Sequence, residues 1–325
     1  MRNQKITFAA LLTVFMVVAL VLPTSAAIEG SFQRSLKVSG PVDIDINTGS
    51  GSITVRTGGT DTVEVTGHIR ATEWFNGGAR DRVHQLEQNP PIQQSGNTIR
   101  IGHLTDWNLT RNISISYELT VPPETRLKSE TGSGNQTIDG LRGDLDIHSG
   151  SGSLRIGNTS STVRADTGSG SITIDHIKGN VRAKTGSGSI HATDIGGGFE
   201  GNTGSGSIHL DQTAPGAVRA ETGSGEMELL GVRGSLEARA GSGGIRADGD
   251  PRGGWLVHTG SGRVRLAIPN DAAFDLDART SSGSISLQHP VTIQGRITRK
   301  EVRGKVRGGG VQVEVQTGSG DIEIL

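Results

Sequence analysis

Residues 167–208 have the sequence TGSGSITIDHIKGNVRAKTGSGSIHATDIGGGFEGNTGSGSI, in which Gly-Ser-Gly begins at Gly168, Gly186 and Gly204, two steps of 18 residues. Outward from this stretch, the same motif begins at positions 49, 132, 150, 223, 241, 260 and 318, with the variant Ser281-Ser282-Gly283 before the last. From position 132 to position 260 every step is 18 or 19 residues. A period this regular indicates a repeat protein in which each unit is one structural element.

Each repeat unit contains two segments in which apolar and polar residues alternate. In the unit that starts at Gly168, these segments are residues 171–175 and 181–185, with a corner at 176–180 between them. Alternation with a period of two is typical of β-strands that bury one face. The residues predicted to face the core in this unit are Ile172, Ile174, Val181 and Ala183.

Two arrangements could use such units. An antiparallel meander would form one long sheet whose apolar face needs a second layer, and no other part of the chain is long enough to supply it. In a solenoid each unit is one coil, equivalent strands stack in parallel, and the apolar faces of opposite walls bury each other. Because this arrangement also explains the nearly constant unit length, the sequence predicts an all-β, parallel, β-helix-like β-solenoid with 18-residue coils.

Composition indicates a thin core and many tight corners. Glycine accounts for 50 of the 325 residues, and aromatic residues for only 3%. We expect glycine at corners where a positive φ or a close approach between backbones excludes a side chain. The neighbouring Ser and Thr are expected to form hydroxyl ladders between equivalent residues of adjacent coils. No Gly-Lys-Ser/Thr ending or helix follows the motif, which disfavours a nucleotide-binding loop.

The first 27 residues have the features of a secretory signal peptide. A short basic start is followed by an apolar run over residues 6–22 and by small residues up to Ala27. Cleavage after Ala26 or Ala27 is expected, so the protein is predicted to be exported to the periplasm, the cell envelope or the outside of the cell. The alternative is that the run at 6–22 remains as a membrane anchor.

Charge and cysteine content exclude several classes of protein. The formal net charge is −1, so bulk electrostatics gives no argument for nucleic-acid binding. The chain contains no cysteine, which excludes disulfides, cysteine-bound zinc and a lipidated N-terminal cysteine. No stretch after residue 27 is long and apolar enough to cross a bilayer, so we expect no stable membrane insertion once the signal peptide is removed.

Residues 66–130 interrupt the repeat. Within them, the pattern predicts a short helix at 79–88 and strands at 98–103 and 112–121. One interpretation is a cap that covers the open edge of the first coil. The chain is thus divided into a signal peptide (1–27), first solenoid strands (28–65), a capping insertion (66–130) and solenoid repeats (131–325).

The same insertion contains four aromatic residues, which are Trp74, Phe75, Trp107 and Tyr117. A second interpretation is that these rings line a ligand pocket together with His68, His84 or His103. The histidines lack the close spacing of metal ligands.

Six cations lie within twelve residues near the C-terminus, opposed only by Glu301. Such a cluster produces a local positive field that could bind an anionic envelope polymer or lipid headgroups. The alternative is a solvated hairpin between coils. The candidate partner-binding residues are Arg296, Arg299, Lys300, Arg303, Lys305 and Arg307.

Catalysis has little support in the sequence. An enzyme that degrades acidic polysaccharides needs several carboxylates converging on one face, whereas the outward positions of the second strand carry mixed charge. Charge pairing between coils explains this column better. The positions are Asp146, Arg164, Arg182, Glu200, Arg219 and Glu237. No catalytic residue, metal ligand or cofactor is predicted.

Two pairs of ring side chains occupy defined positions in the repeat. His191 and His209 are 18 residues apart, so we expect them to stack on the outer wall. They could form a weak metal site, a pH-sensitive pair or a plain exposed pair. Phe199 and Trp255 fall on the inward column and are expected in the core.

Several segments carry a family resemblance. They are GSFQRSLKVSGPVDI at 30–44, the repeated Thr-Gly-Ser-Gly-Ser-Ile, ISYELTVP at 115–122 and GGGVQVEVQTGSGDI at 308–322. Together they resemble the bacterial β-strand-repeat, adhesin-like proteins classed as domain of unknown function 4097. The resemblance implies a secreted or envelope-associated solenoid, and it carries over no catalytic residues.

The sequence predicts an exported, noncatalytic adhesin or scaffold that presents a rigid surface to an unidentified envelope polymer or protein partner. The alternatives are a polysaccharide-active β-helix enzyme and a scaffold in envelope-stress signalling. Because the chain stops at Leu325 directly after an apolar strand, an end-to-end homodimer through that edge is also expected.

Overall fold

The computed structural model describes residues 27–72, 78–104, 109, 111–293 and 298–325. The predicted signal peptide lies outside these residues except for Ala27. The first elements of the chain are β1 (Ala27–Lys37), β2 (Val42–Thr48), β3 (Ile53–Thr57), β4 (Thr62–Thr72), α1 (Ala79–Gln88), β5 (Ile92–Ser95), β6 (Thr98–Ile101), β7 (Ile113–Val121), β8 (Thr125–Thr131), β9 (Gln136–Asp139), β10 (Leu145–Ser149), β11 (Leu154–Thr159), β12 (Val163–Thr167), β13 (Ile172–Ile177) and β14 (Val181–Thr185). The remaining elements are β15 (Ile190–Ile195), β16 (Phe199–Thr203), β17 (Ile208–Gln212), β18 (Val218–Ser224), β19 (Met227–Val232), β20 (Leu236–Ser242), β21 (Ile245–Gly249), β22 (Trp255–Ser261), β23 (Val264–Ala267), β24 (Phe274–Ser282), β25 (Ile285–Leu287), β26 (Val291–Ile293), β27 (Glu301–Val306), β28 (Val311–Ser319) and β29 (Ile322–Ile324).

Each repeat unit contributes one strand to each of two long sheets. The odd-numbered strands from β9 to β23 lie side by side in sheet A, and the even-numbered strands from β8 to β22 lie side by side in sheet B. Neighbours are parallel and in register, so Val181 of β14 pairs with Val163 on one side and Phe199 on the other. The predicted all-β parallel β-solenoid is confirmed.

The core is formed by the inward residues of both sheets. Ile172 and Ile174 of β13, together with Ala183 of β14, are completely buried. Burial of an Ile side chain contributes about 1.5–3 kcal/mol, so a column of small aliphatic residues repeated in every coil stabilises the fold without large rings. Phe199 and Trp255 lie in this core, as predicted.

The Thr-Gly-Ser-Gly corner, which connects sheet B to sheet A, joins adjacent coils through side-chain hydrogen bonds. The buried Thr185 hydroxyl donates to the carbonyl oxygen of Gly170 in the preceding coil (2.8 Å) and accepts from the N–H of Gly188 in its own corner (3.1 Å). Buried backbone groups without a partner are costly, and this hydroxyl satisfies two of them. The same donation to a glycine carbonyl of an adjacent coil comes from Thr131, Ser149, Thr167, Thr203, Thr222, Thr259, Thr280 and Thr317. The predicted ladder between equivalent hydroxyls is therefore wrong for this column, because the backbone takes these hydrogen bonds.

Glycine is required in this corner because adjacent coils approach closely there. A Cβ atom on Gly188 would lie 2.0 Å from the carbonyl oxygen of Gly170, and one on Gly170 would lie 2.0 Å from that of Gly152. None of these three glycines has a positive φ. Close approach is thus the reason for glycine in these coils, whereas the equivalent Gly225, Gly243 and Gly262 combine close approach with a positive φ of 146–159°.

Both ends of the solenoid contain strands out of chain order. At the first end, β2 lies between β6 and β8, and β3 lies between β7 and β9. At the other end, β28 lies between β22 and β24, and β29 lies between β23 and β25. The expectation that Ile322–Ile324 forms an exposed edge is wrong, because strands flank it on both sides. The end-to-end homodimer stays a prediction, but an open edge at Ile322–Ile324 no longer supports it.

The interruption at 66–130 contributes a helix and several strands. The predicted helix is α1, and the predicted strands are β6 and β7; the pattern did not predict β5, which pairs with β6 as a hairpin. Helix α1 packs against β1 and β4 with Val83 and Leu86 buried. Its Glu87 carboxylate accepts a hydrogen bond from the N–H of Ser31 in the edge strand β1 (3.0 Å). β7 and β8 stack within the sheets, so this segment supplies coil strands as well as the helix.

Replacing Thr185 with Val removes both hydrogen bonds that its hydroxyl makes in the Thr-Gly-Ser-Gly corner, while the shape of the side chain is preserved. We expect a loss of about 1–3 kcal/mol in the free energy of unfolding, measured by urea denaturation, because a carbonyl and an N–H are left unpaired. Ser187→Ala, at an exposed position of the same corner, is the control and should change stability by less than about 0.5 kcal/mol. Equal losses in the two variants would contradict the role given to the hydroxyl.

Candidate functional site

A groove runs along sheet B where the strands of successive coils begin. Its volume is about 740 Å³, and its lining extends from Thr162 to Leu256. It forms because the residue immediately before each strand is small in coil after coil. These equivalent residues are Asn180, Gly198, Ala217, Ser235 and Gly254.

The outer wall of the groove carries the charge pairs predicted from the sequence. Arg182 lies 3.1 Å from Glu200 in the next coil, and Arg219 lies 3.4 Å from Glu237. Such exposed pairs contribute about 0–1 kcal/mol each, so they define the polarity of the wall more than they stabilise the fold. The expectation of charge pairing between coils is confirmed for these positions.

The groove is suited to noncovalent binding of an extended chain. Its lining combines backbone and small side chains at the corner with the guanidinium and carboxylate groups of the strands and the side chain of Leu256. Among the residues that the structure describes, no three His, Asp or Glu side chains converge closely enough to hold a metal ion. Within the same part of the chain, no helix combines the length and apolar character needed to cross a membrane.

The sequence profile of the family described as Toastrack DUF4097 matches residues 42–325. The chain belongs to this family. The match covers the solenoid from β2 to the last residue, which confirms the family resemblance.

Solved structures similar to this Toastrack chain have low sequence identity to it. A putative cell adhesion protein from Clostridium sporogenes is 12% identical, with 91% of this chain and 99% of that chain covered and a TM-score of 0.21. A putative lipid binding protein from Parabacteroides distasonis is 13% identical, with 91% and 96% covered and a TM-score of 0.40. A putative adhesin from Bacteroides fragilis is 14% identical, with 91% and 97% covered and a TM-score of 0.28. At these identities and TM-scores, the similarity says nothing about the function of this chain. No curated protein matches the chain.

Two members of the predicted basic cluster lie opposite acidic residues of a neighbouring strand, and one of them is ion-paired. Arg303 of β27 lies 3.3 Å from Asp277 of the neighbouring strand β24 and 3.2 Å from Glu301. Lys305 pairs in register with Asp275 of the same strand. In the sequence only Glu301 lies among these cations. In the fold, Asp275 and Asp277 of β24 lie opposite them on the neighbouring strand.

The remaining cations lie at the C-terminal end of the sheets. The Lys300 ammonium donates to the backbone oxygen of Ser281 (2.9 Å), and the Arg307 guanidinium donates to that of Asn270. Arg299 is exposed beside Lys300, and Arg296 lies outside the described residues. Partner binding by these six residues stays a prediction.

The backbone of this basic segment covers strand edges. The carbonyl oxygens of Arg299 and Lys300 accept hydrogen bonds from the N–H groups of Ile285 (3.1 Å) and Thr280 (2.9 Å). Since β25 is the outermost strand of sheet A, the segment occupies hydrogen-bonding groups that another chain could otherwise use. Cations beside a strand edge oppose pairing with a second molecule.

The histidines of the insertion do not share one site. His68 lies 3.7 Å from Glu118, and His103 lies 3.3 Å from Asp45. His84 of α1 lies 3.6 Å from Glu87. Each is therefore near a different carboxylate. Of the aromatic residues predicted to accompany them, Tyr117 is buried, and Trp74, Phe75 and Trp107 lie outside the described residues.

His191 and His209 stack on the outer face of sheet A, as predicted. Their ring centroids are 4.6 Å apart and the rings are inclined by 14°. The His209 Nδ1 atom is 3.1 Å from a Glu228 carboxylate oxygen. Desolvation lowers the pKa of His191 below its ordinary 6.5, the charge of His209 lowers it further, and Asp175 partly opposes the shift.

The His191 pKa predicts a pH dependence of stability. The folded protein binds the His191 proton less tightly than the unfolded chain does. The free energy of unfolding is therefore unaffected by this proton above about pH 6.5, and it decreases as the pH falls below that value. Between pH 7.5 and 5.5, the urea midpoint should fall further for the wild type than for His191→Thr. Thr is the residue at the equivalent position, 173, of the preceding coil. Identical pH profiles would contradict the coupling.

Removing the cations from the end of sheet A should promote association. We expect Arg299→Ser combined with Lys300→Ser to increase the dimeric or larger fraction, measured by light scattering after size exclusion, because the strand edge loses its charged cover. Arg155→Ser, which removes an exposed cation from the middle of sheet A, is the matched control. An unchanged mass in the double variant would contradict this role.

Proposed function

We propose that the protein is an exported, noncatalytic binding or scaffold protein of the cell envelope, adhesin-like in function. It holds an extended envelope polymer or protein chain in the groove along sheet B. The observation that carries this proposal is the continuity of the groove. One small residue per coil, repeated over successive coils, forms a linear recess rather than an isolated pocket.

The geometry of the solenoid supports a binding role. In most repeats a corner hydroxyl links one coil to the next, with Ala240 as the exception, so the groove lies on a preorganised surface that loses little conformational freedom when a partner binds. Glu200 and Glu237 are each paired with an arginine of a neighbouring coil, which favours recognition over acid–base catalysis. Export rests on the signal-peptide features of residues 1–27.

The scaffold in envelope-stress signalling is less well supported. That alternative needs a basic cluster available to a membrane protein, whereas Arg303 is already paired with Asp277 and Glu301.

Filling the groove should abolish partner binding without unfolding the protein. Ala217 is an exposed groove residue, and Ser205 is an exposed corner residue outside the groove. Sedimentation with peptidoglycan sacculi, lipopolysaccharide or an isolated surface-protein fraction measures binding. We expect the wild type and Ser205→Trp to bind one of these fractions, and Ala217→Trp to lose about tenfold or more in affinity, because the indole occupies the recess.

Circular dichroism of Ala217→Trp serves as the folding control. Failure of the wild type to bind any of the three fractions, or equal binding by both Trp variants, would overturn the proposal.

A further inference from the structure

A second cavity lies at the N-terminal end of the solenoid, apart from the groove. It has a volume of about 910 Å³ and is lined by the end of β2 and the two residues after it, by the end of β4, by residues that follow β6 and by the start of β7. On one side of the first corner, Gly132 stacks so closely on Gly49 that a Cβ would lie 2.3 Å from the Gly49 carbonyl oxygen. On the other side, β6 continues into Gly102-His103-Leu104 instead of a Gly-Ser-Gly corner. The cavity lies where the column of corners stops.

Tyr117 lines this cavity, and its hydroxyl makes no hydrogen bond within the described structure. It is the only tyrosine of the chain, its side chain is 1% exposed, and its hydroxyl oxygen has no hydrogen-bond partner in the described structure. The ring occupies the inward position equivalent to Ile53 of β3 and packs edge-on against Phe32, with centroids 6.3 Å apart. An apolar residue would fill this place without leaving a buried hydroxyl unpaired. Burial raises the pKa of Tyr117, so the hydroxyl remains a neutral donor.

The cavity also presents positive charge. Arg70 and Arg111 belong to its lining. Arg70 is 3.2 Å from Glu29, whereas Arg111 is exposed and forms no ion pair with the residues that the structure describes. A planar guanidinium with its donors available suits a carboxylate.

We propose that this cavity binds an acidic sugar residue, a hexuronate within a saccharide, with Arg111 on its carboxylate and the Tyr117 hydroxyl on a ring oxygen. The wall around them combines small polar residues and backbone, including Gly49, Ser50 and Ser114, with the apolar Leu104, Ile113 and Ile115, which suits a sugar ring that has both hydroxyl groups and apolar faces. The volume lies within the range of about 300–1,000 Å³ that is usual for small-molecule sites. This site is separate from the groove and does not depend on the function proposed for it.

The single tyrosine allows a direct test. Protein labelled with ¹³C at Tyr Cζ should give one resonance, because Tyr117 is the only tyrosine. We expect trigalacturonate to shift this resonance saturably and the neutral sugar galactotriose to leave it in place. Arg111→Gln should weaken trigalacturonate binding about tenfold, whereas Arg155→Gln, at an exposed site on sheet A, should not change it. No saturable shift, or equal binding of the neutral sugar, would overturn the assignment.

Tyr117→Phe separates a ligand contact from a structural role. In the free protein the hydroxyl makes no hydrogen bond, so the thermal midpoint should stay the same or rise. Trigalacturonate affinity, measured by calorimetry, should fall about fivefold or more. Unchanged affinity in Tyr117→Phe would contradict the proposal. Ala217→Trp should bind trigalacturonate normally, so the groove and this cavity can fail independently.

Discussion

The hydrogen bond from a corner hydroxyl to the glycine carbonyl of the adjacent coil is the interaction on which the structure depends. Thr185 satisfies the Gly170 carbonyl and the Gly188 N–H together, and it can do so only because neither glycine carries a Cβ. One further atom at Gly188 would separate the coils. The parallel register, the fixed distance between motifs and the continuity of the core all require this close contact.

The two corners of each coil serve different purposes. The Gly-Ser-Gly corner keeps its length in every coil, whereas the opposite corner, from sheet A to sheet B, absorbs the extra residue of the 19-residue units. Register shifts occur there, between Ala192 and Ile195 and again between Leu229 and Val232. The groove begins at this variable corner. One side of the solenoid thus preserves the stack, and the other side is free to vary the surface offered to a partner.

Local patterns predicted most of the fold, and non-local pairing accounts for what they missed. Alternation and period gave the strands, the parallel stack and the inward positions of Phe199 and Trp255, because these depend on residues close in the chain. The insertion of β28 and β29 into the stack was missed, although the sequence holds a signal for it. The regular motif at Gly318 stacks on the regular motif at Gly260, and the variant at 281–283 is displaced to the outermost coil.

The candidate sites were harder to predict for the same reason. The groove follows from one small residue per coil, a column that becomes visible only after the coils are aligned. The cations near the C-terminus form an isolated positive run in the sequence, but Asp277 and Asp275, which lie opposite Arg303 and Lys305, belong to β24, which pairs with β27 although β25 and β26 separate the two in the chain. Nothing in the sequence indicates that the hydroxyl of Tyr117 is buried without a partner, since its burial depends on strands from three parts of the chain.

Amide hydrogen exchange at the corner glycines tests the central claim most directly. If the hydroxyl column holds the coils together, the N–H groups of Gly134, Gly152, Gly170 and Gly188, which donate to those hydroxyls, will exchange as slowly as amides in the middle of the strands. Exchange at the rate of an unstructured peptide, with the strand amides still protected, would contradict the account.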